Sequence, residues 1–313
     1  MENNNFADSI LNSAFTGLNI LNPDNIDKVA EMLDKYGLRW TVKKENLLLP
    51  DGVDSELWGV VRQDTRKTFA SCKEGYEPFQ NSELAELLLR ICDNKGYTIH
   101  SGGMFNGGGK VFLQINTEQI IKNLGENRTT VKGYITGINS HDMTTNQKWG
   151  FSNNTICCKN DFARMSQELK NSTRHTVTMR AKIEASLRKI DIVHKEQQSM
   201  FDTFIKLSEI PASRTHIAKV VNTITEVDIN KSDTENRKDH SGYAINRTTE
   251  LLTSISQEMT QKGNTLWGLL SGVTHYTTHV MPVPKRENGR LESKYTGGGL
   301  SIDNEAYNLI KSF

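Results

Sequence analysis

The sequence predicts an α+β protein: an antiparallel hairpin sheet packed on helices, followed by a mainly helical C-terminal half. Three patterns indicate this class. Residues 131–138 alternate with a period of two and are rich in β-branched side chains, which is typical of a strand. Apolar residues recur at steps of three and four over 26–36 and 84–91, as on one face of a helix. The same steps continue over 161–207, so we predict that a hairpin leads directly into a long helix.

The N-terminal half alternates between helices and hairpin strands. A helix follows the start signal at Asn22–Asp24 and ends at Gly37. A second helix begins at the capping pair Asn81–Ser82. The strands that we predict are 40–49, 57–62, 68–72, 97–100, 110–116, 130–138 and 148–151, with a short helix over 117–124.

Composition shifts and Pro or Gly residues divide the chain. We predict an N-terminal arm over 1–22, an α+β core domain over 23–210, a helical region over 211–284, a linker over 285–299 and a tail helix over 300–313. Residues 225–240 are charged and polar, which favours an exposed loop.

The charge balance and the cysteine content limit the partners and the cellular compartment that we expect for this protein. The 313 residues carry a formal net charge of only +1, so any basic surface must come from local clustering. There is no apolar run of about 18 residues and no secretory signal, so we expect no membrane partner. Four cysteines without a CxxC motif indicate a reducing compartment, and we expect a cytoplasmic protein.

The glycine cluster at 102–109 does not fit a phosphate-binding loop. The first glycine of that motif would stand at Met104, and Val111 occupies the Ser or Thr position. A flexible hairpin tip explains the cluster. The alternative is a tip that lets the backbone approach a nucleic acid.

Histidines and carboxylates do not indicate an enzyme. The pair His141–Asp142 lacks the further His and Asp that a metal phosphohydrolase needs, which favours polar turn chemistry. His275 and His279 share a helical spacing but lack a third ligand. We therefore expect no catalytic residue, no metal and no cofactor.

The segment between Arg164 and Ile190 is strongly basic, with seven cations and two anions. Such a helix suits a phosphate backbone, although a solvated helix face would look the same. The aromatic residues Trp149 and Phe151 lie nearby in the sequence. Cations beside aromatic side chains are how proteins hold single strands without sequence preference, which favours nucleic-acid binding.

An ordered set of phrases resembles the phage/plasmid-like proteins, which are built on a domain of unknown function found in phages and mobile elements. The phrases are Val61–Thr65, Gly75–Asn81, Gly109–Phe112, Asn139–Asp142, Thr155–Asn160, Thr173–Thr176, Gly263–Trp267 and Val273–Thr274. The chain departs from the family pattern at 157–162, where Cys-Cys-Lys-Asn-Asp-Phe replaces a Val-Cys-x-Asn phrase followed by Leu.

The order of elements is also distantly similar to the β-β-β-α core of single-strand annealing recombination proteins. That resemblance implies homo-oligomeric rings or filaments that hold ssDNA and pair it with a complement without ATP. It also implies the cytoplasm of a bacterial host cell, with a phage exonuclease or a host single-strand binding protein as a further partner.

Our leading hypothesis is thus a phage-type protein that binds and anneals ssDNA as a homo-oligomer, making and breaking no bond. Cations would neutralise phosphates, and Trp149 and Phe151 would stack on bases. The predicted DNA-binding residues are Arg62, Arg66, Lys67, Lys110, Lys132, Lys148, Trp149, Phe151, Lys159, Arg164, Arg174, His175, Arg180 and Lys182. One alternative is a phage-encoded protein-interaction or anti-defence factor that binds no DNA. A metal-dependent nuclease is a third reading.

Overall fold

The described residues form two compact units. The computed structural model describes residues 25–125, 129–155, 161–165, 181, 190–286 and 288–313. The first unit holds the described residues within Met1–Thr117, Tyr134–Gly150 and Met165–Val193. The second unit holds those within Glu118–Gly133, Phe151–Arg164 and His194–Phe313. The predicted N-terminal arm, 1–22, lies outside the described residues.

The first unit begins with a helix and a three-stranded antiparallel sheet. Helix α1 is Ile26–Lys35. The strands β1 (Val42–Leu48), β2 (Asp54–Arg62) and β3 (Thr68–Cys72) follow in sheet order. The central strand β2 is held on both sides, and its Val60 side chain is buried. The predicted strands in this part of the chain are confirmed.

Helix α2, Asn81–Lys95, packs against α1. It begins with a capping box, in which the Gln80 N–H donates to Glu83 Oε2 at 2.8 Å. Leu84 and Leu88 are buried, as their helical spacing predicts.

The second sheet has five strands in sequence order. They are β4 (Thr98–Phe105), β5 (Lys110–Leu124), β6 (Thr129–Ser140), β7 (Lys148–Thr155) and β8 (Asp161–Met165). The β4–β5 hairpin and the β6–β7 hairpin are therefore both confirmed. The strands β5, β6 and β7 each contribute residues to both units.

Two short segments were wrongly predicted as helix. Residues 117–124 continue strand β5 beyond Asn116, where its pairing with β4 ends, and β6 is the neighbouring strand on the other side. Residues 161–165 form strand β8 beside β7 instead of opening a helix. Apolar periodicity cannot separate helix from strand over so few residues, so backbone pairing decides. Most of the rest of that predicted helix, 166–189, lies outside the described residues.

The second unit is mainly helical, as predicted. Its aromatic core brings the Phe204 and Trp267 rings to 4.8 Å between centroids. A Cβ on Gly272 would meet Ile255 Cα at 2.3 Å, so the backbones of two helices touch there. No helix in the described ranges has both the length and the apolarity needed to cross a bilayer. The helices are α3 (Ile190–Glu209), α4 (Arg214–Thr225), α5 (Asp233–Asp239), α6 (Gly242–Lys262), α7 (Leu266–His275), α8 (Gly289–Thr296) and α9 (Gly298–Lys311).

Two segments predicted to lack structure contain helices. Within 225–240, α5 begins where Ser232 Oγ accepts from the Glu235 N–H at 3.3 Å, a capping signal that the charge of the segment obscured. Within 285–299, α8 replaces the predicted linker. Two of its charged residues, Glu292 and Lys294, are buried in ion pairs instead of being solvated, and Arg286 holds Glu292 at 2.6 Å. The predicted tail helix is confirmed as α9, and it packs against α7 and α4.

A buried polar triad joins the C-terminal helices to the turn after α7. Lys294 Nζ donates to Asp303 Oδ2 and, at 2.9 Å, to Thr277 Oγ1. Thr277 Oγ1 in turn donates to Asp303 Oδ1 at 2.7 Å. All three side chains are buried, so Lys294 and Asp303 depend on each other and on Thr277 for these hydrogen bonds.

We expect Asp303→Asn to lower the free energy of unfolding by about 3–5 kcal/mol, because Lys294 would keep a buried charge without its counter-charge. Urea denaturation measures this. The matched control is Asp239→Asn, which removes the partner of Lys231 in an exposed pair at 3.0 Å and should cost about 1 kcal/mol or less. Equal losses in the two variants would contradict the expectation.

Candidate functional site

The loop that closes the β6–β7 hairpin is organised by Asp142. Its Oδ1 accepts from Ser140 Oγ at 2.7 Å, from Thr144 Oγ1 at 2.7 Å and from the Thr144 N–H at 3.1 Å. These bonds hold Met143 at φ 58°, in the left-handed region, with its side chain 45% exposed. The polar turn predicted for this dipeptide is confirmed at Asp142.

The sequence predicts that His141 belongs to a polar turn, but its ring is fully buried. The ring packs edge-on to Trp40 at 5.3 Å and is stacked with Phe69 at 6.0 Å. Its Nε2 lies 2.9 Å from Asn81 Oδ1. The Asn81 amide nitrogen donates to the Leu38 carbonyl at 3.0 Å, so its oxygen is the acceptor and His141 Nε2 carries the proton.

The glycine-rich turn between β4 and β5 is held by side chains and backbone. Arg62 Nη1 donates to the Gly107 carbonyl at 3.2 Å, and Lys67 Nζ donates to the Asn106 carbonyl at 3.1 Å. On its other side, the Gly109 carbonyl accepts from the N–H groups of His141 and Asp142, at 2.7 and 3.0 Å. The predicted hairpin tip is confirmed, and its glycines serve internal packing.

Glycine is required at two of these positions for different reasons. Gly108 has φ 99°, and a Cβ there would meet the Trp40 ring at 2.9 Å. A Cβ on Gly109 would meet the Asp142 carboxylate at 2.9 Å. The close approach of backbone to Trp40 and Asp142 therefore explains the cluster without a phosphate ligand.

Two lysines, Lys110 and Lys148, lie beside this loop, and we call them the lysine pair. Lys110 is buried, with its Nζ 3.8 Å from Asp142 Oδ2. Lys148 is partly exposed and has no carboxylate partner within the described part of the chain. Burial, and then the charge of Lys110, lower the pKa of Lys148. Lys148 thus lies near a second cation and has no carboxylate partner among the described residues, so an anion is the ligand that it would favour.

The cations predicted to bind DNA at the β2–β3 hairpin make contacts within the protein. Arg62 lies over the Trp40 ring at 4.2 Å and pairs with Asp64 at 2.7 Å. Arg66 forms a bidentate pair with Glu45, at 2.6 and 2.7 Å. Hydrogen bonding by Arg66 lowers the pKa of Glu45 to about 2. Arg66 remains well exposed, whereas the guanidinium of Arg62 is largely enclosed.

The predicted aromatic contact Phe151 is corrected by the structure. Its side chain is only 2% exposed, so it has no free face on which a base could stack. Lys132 is half-buried on the second-unit part of β6. For Trp149 and Arg164 the structure gives backbone positions, in β7 and β8. The predicted residues Lys159, Arg174, His175, Arg180 and Lys182 lie outside the described residues.

The histidine pair of the second unit lies at the end of α7. The His275 and His279 rings are 5.0 Å apart between centroids. Within the described ranges, no group of three or more His, Cys, Asp or Glu side chains is placed to hold a metal ion.

Sequence reasoning missed Asn81 and Trp40 as parts of this site. Asn81 was interpreted only as a helix start, although its side chain is buried against His141. The two residues are 60 positions apart, so spacing carried no signal for their contact.

The fold and the loop together define an α+β protein with a lysine pair at a hairpin end of its first unit and a helical second unit. A family model matches residues 51–295, more than half of the chain, and its family is described as a domain of unknown function (DUF932). The chain belongs to that family. No curated protein and no solved structure matches it.

We expect Asn81→Ala to destabilise the protein by about 1–3 kcal/mol, because it removes the acceptor that lies 2.9 Å from the buried His141 Nε2 and one of the donors to the Leu38 carbonyl. Thermal or urea denaturation measures the loss. Asn46→Ala is the matched control, since it removes only an exposed hydrogen bond to Asp54, at 3.0 Å. A neutral Asn81→Ala would show that the buried network is not needed.

Proposed function

We propose that this protein binds and anneals single-stranded DNA as a homo-oligomer, without ATP, in the recombination of a phage or mobile element within a bacterial cytoplasm. The observation that carries the proposal is the lysine pair, in which Lys148 has no carboxylate partner among the described residues. Annealing makes and breaks no covalent bond, so the proposal needs no catalytic residue.

An anion is the ligand that best relieves the electrostatics of this site. The fold holds two ammonium groups close together, and the desolvation of Lys148 is unfavourable to its charged form. Asp142 is already satisfied by two hydroxyls and one N–H, so it offers Lys148 little compensation. A phosphate group beside Lys148 would supply the missing negative charge, and a DNA strand presents such groups in series.

The surroundings of the lysine pair suit a nucleotide better than an isolated phosphate. Met143 offers apolar surface on the same loop, fixed by the bonds to Asp142. An exposed apolar side chain and a cation near one loop match the base and the phosphate of a nucleotide. Met143 would take the base contact that the buried Phe151 cannot make.

A second candidate function is protein interaction without DNA binding. The observation that favours it is a group of exposed apolar residues at the end of the β1–β2 hairpin, at Leu48, Leu49, Val53 and Leu57. Exposed apolar surface often marks a protein-binding site. In that case the protein would retain no DNA at any salt concentration.

We expect Lys148→Ala to weaken binding of a fluorescein-labelled oligothymidine and to slow annealing of complementary oligonucleotides without ATP. Fluorescence anisotropy over a salt series measures the binding. Loss of one phosphate contact should reduce the slope of log affinity against log salt by about 0.7. Lys206→Ala, an exposed lysine of α3 in the other unit, is the control and should leave the slope unchanged. A wild-type protein that retains no ssDNA at low salt would overturn the proposal.

As the pH is raised, we expect the DNA affinity to fall at a lower pH than it would for a contact made by an ordinary lysine. Lys148 is charged below its pKa, and burial and Lys110 lower that pKa, so its charge is lost at a lower pH. Lys148→Arg should remove this fall, because arginine stays protonated. Anisotropy titrations from neutral pH up to the ordinary lysine pKa measure the effect. Identical pH profiles for the two proteins would remove Lys148 from the binding site.

A further inference from the structure

The closed end of the β1–β2 hairpin exposes an apolar patch. Leu48, Leu49, Val53 and Leu57 are between 39% and 62% exposed. The Leu49 N–H donates to the Val53 carbonyl at 2.7 Å, and the Gly52 N–H donates to the Leu49 carbonyl at 2.8 Å. These two bonds fix the conformation of the turn, and in that conformation the four apolar side chains are exposed to solvent. We call residues 48–57 the hairpin tip.

The hairpin tip is also acidic. Its charged residues are Asp51, Asp54 and Glu56, and it contains no lysine or arginine. All three acidic residues are exposed. A surface that docks on the hairpin tip should therefore be basic and offer some apolar contact.

The opposite end of the same sheet has a net positive charge, because its cations Lys43, Arg62, Arg66 and Lys67 outnumber Glu45 and Asp64, the partners of Arg66 and Arg62. Lys43, which pairs with Val61 across the strands, lies there with Arg66 and Lys67 at the β2–β3 turn. All three cations are exposed, and we call them the basic end. The nine residues of β2 separate the two ends by roughly 30 Å, so the hairpin tip cannot reach the basic end of its own copy.

We propose that the hairpin tip of one copy docks on the basic end of a second copy, head to tail. Such a contact joins two different surfaces, so each copy still offers one free end and the assembly grows into a ring or a filament. The inference rests on the homo-oligomer of the proposed function, but it does not require DNA binding. The methylene stems of Lys43 and Arg66 would cover the leucines while their charges meet Asp51 and Glu56.

A charge-exchange experiment tests this arrangement. Variant A carries Asp51→Lys and Glu56→Lys at the hairpin tip, and variant B carries Lys43→Glu and Arg66→Glu at the basic end. We expect each variant by itself to sediment as a monomer under conditions in which the wild type sediments as a larger species. An equimolar mixture should assemble again, because the basic tip of A fits the acidic end of B, and the unchanged tip of B fits the unchanged end of A.

Exposed positions elsewhere provide the controls. Leu48→Ser with Val53→Ser should also reduce assembly, whereas Ile205→Ser with Ile210→Ser, exposed apolar residues of the other unit, should not. Circular dichroism and thermal denaturation should show wild-type folding in every variant. Variant B also places two carboxylates beside Glu45, at the surface where water screens their repulsion, so its thermal denaturation must show that it folds before its sedimentation is interpreted.

Three results would overturn the inference: a monomeric wild type, assembly of variant A or B by itself, or a mixture that stays monomeric. An apolar patch that serves a membrane or another protein would give the first or the third result. Failure of DNA binding is separate, since assembly without ssDNA retention would leave the docking contact standing. Conversely, ssDNA retention by a monomeric wild type would remove only the docking contact.

Discussion

The carbonyl of Gly109 accepts hydrogen bonds from the N–H groups of both His141 and Asp142, and the organisation of the first unit depends on this contact. It ties the turn of the β4–β5 hairpin to the loop of the β6–β7 hairpin. The approach is so close that residue 109 has no room for a side chain. With the two loops joined, Asp142 faces Lys110. The His141 ring then packs against Trp40 and Phe69, and its Nε2 lies beside the Asn81 amide.

Among the described residues of the first unit, three of the cations predicted to bind DNA make contacts within the fold. Arg62 and Lys67 hold carbonyls of the glycine turn, and Arg66 holds Glu45. These contacts use positive charge to stabilise irregular backbone and a carboxylate, so counting cations overstates the surface left for a polyanion. Lys148 differs, because burial has lowered its pKa and no described carboxylate compensates its charge. This difference is why the proposed phosphate contact centres on one residue and not on a basic stripe.

The two proposed contacts would work together in an assembly. One lysine pair per copy offers few phosphate contacts, and a protein with few such contacts binds ssDNA weakly at moderate salt. Head-to-tail docking of the hairpin tip on the basic end would repeat the lysine pair at regular intervals. A strand held at several such sites would gain affinity through effective concentration, without any new contact within a copy.

The sequence by itself determined the α+β class, the hairpins and the starts of the first two helices, because alternation, helical steps and capping residues act over a few neighbouring positions. The strand state of 117–124, the burial of Phe151 and the position of His141 against Asn81 were decided only by the tertiary structure. Each depends on residues far away in the chain: a strand must find its neighbours, and a polar side chain must find its partner, before its state is fixed. The same holds for Lys148, whose pKa is lowered by its burial and by the charge of Lys110, which the folded chain places near it.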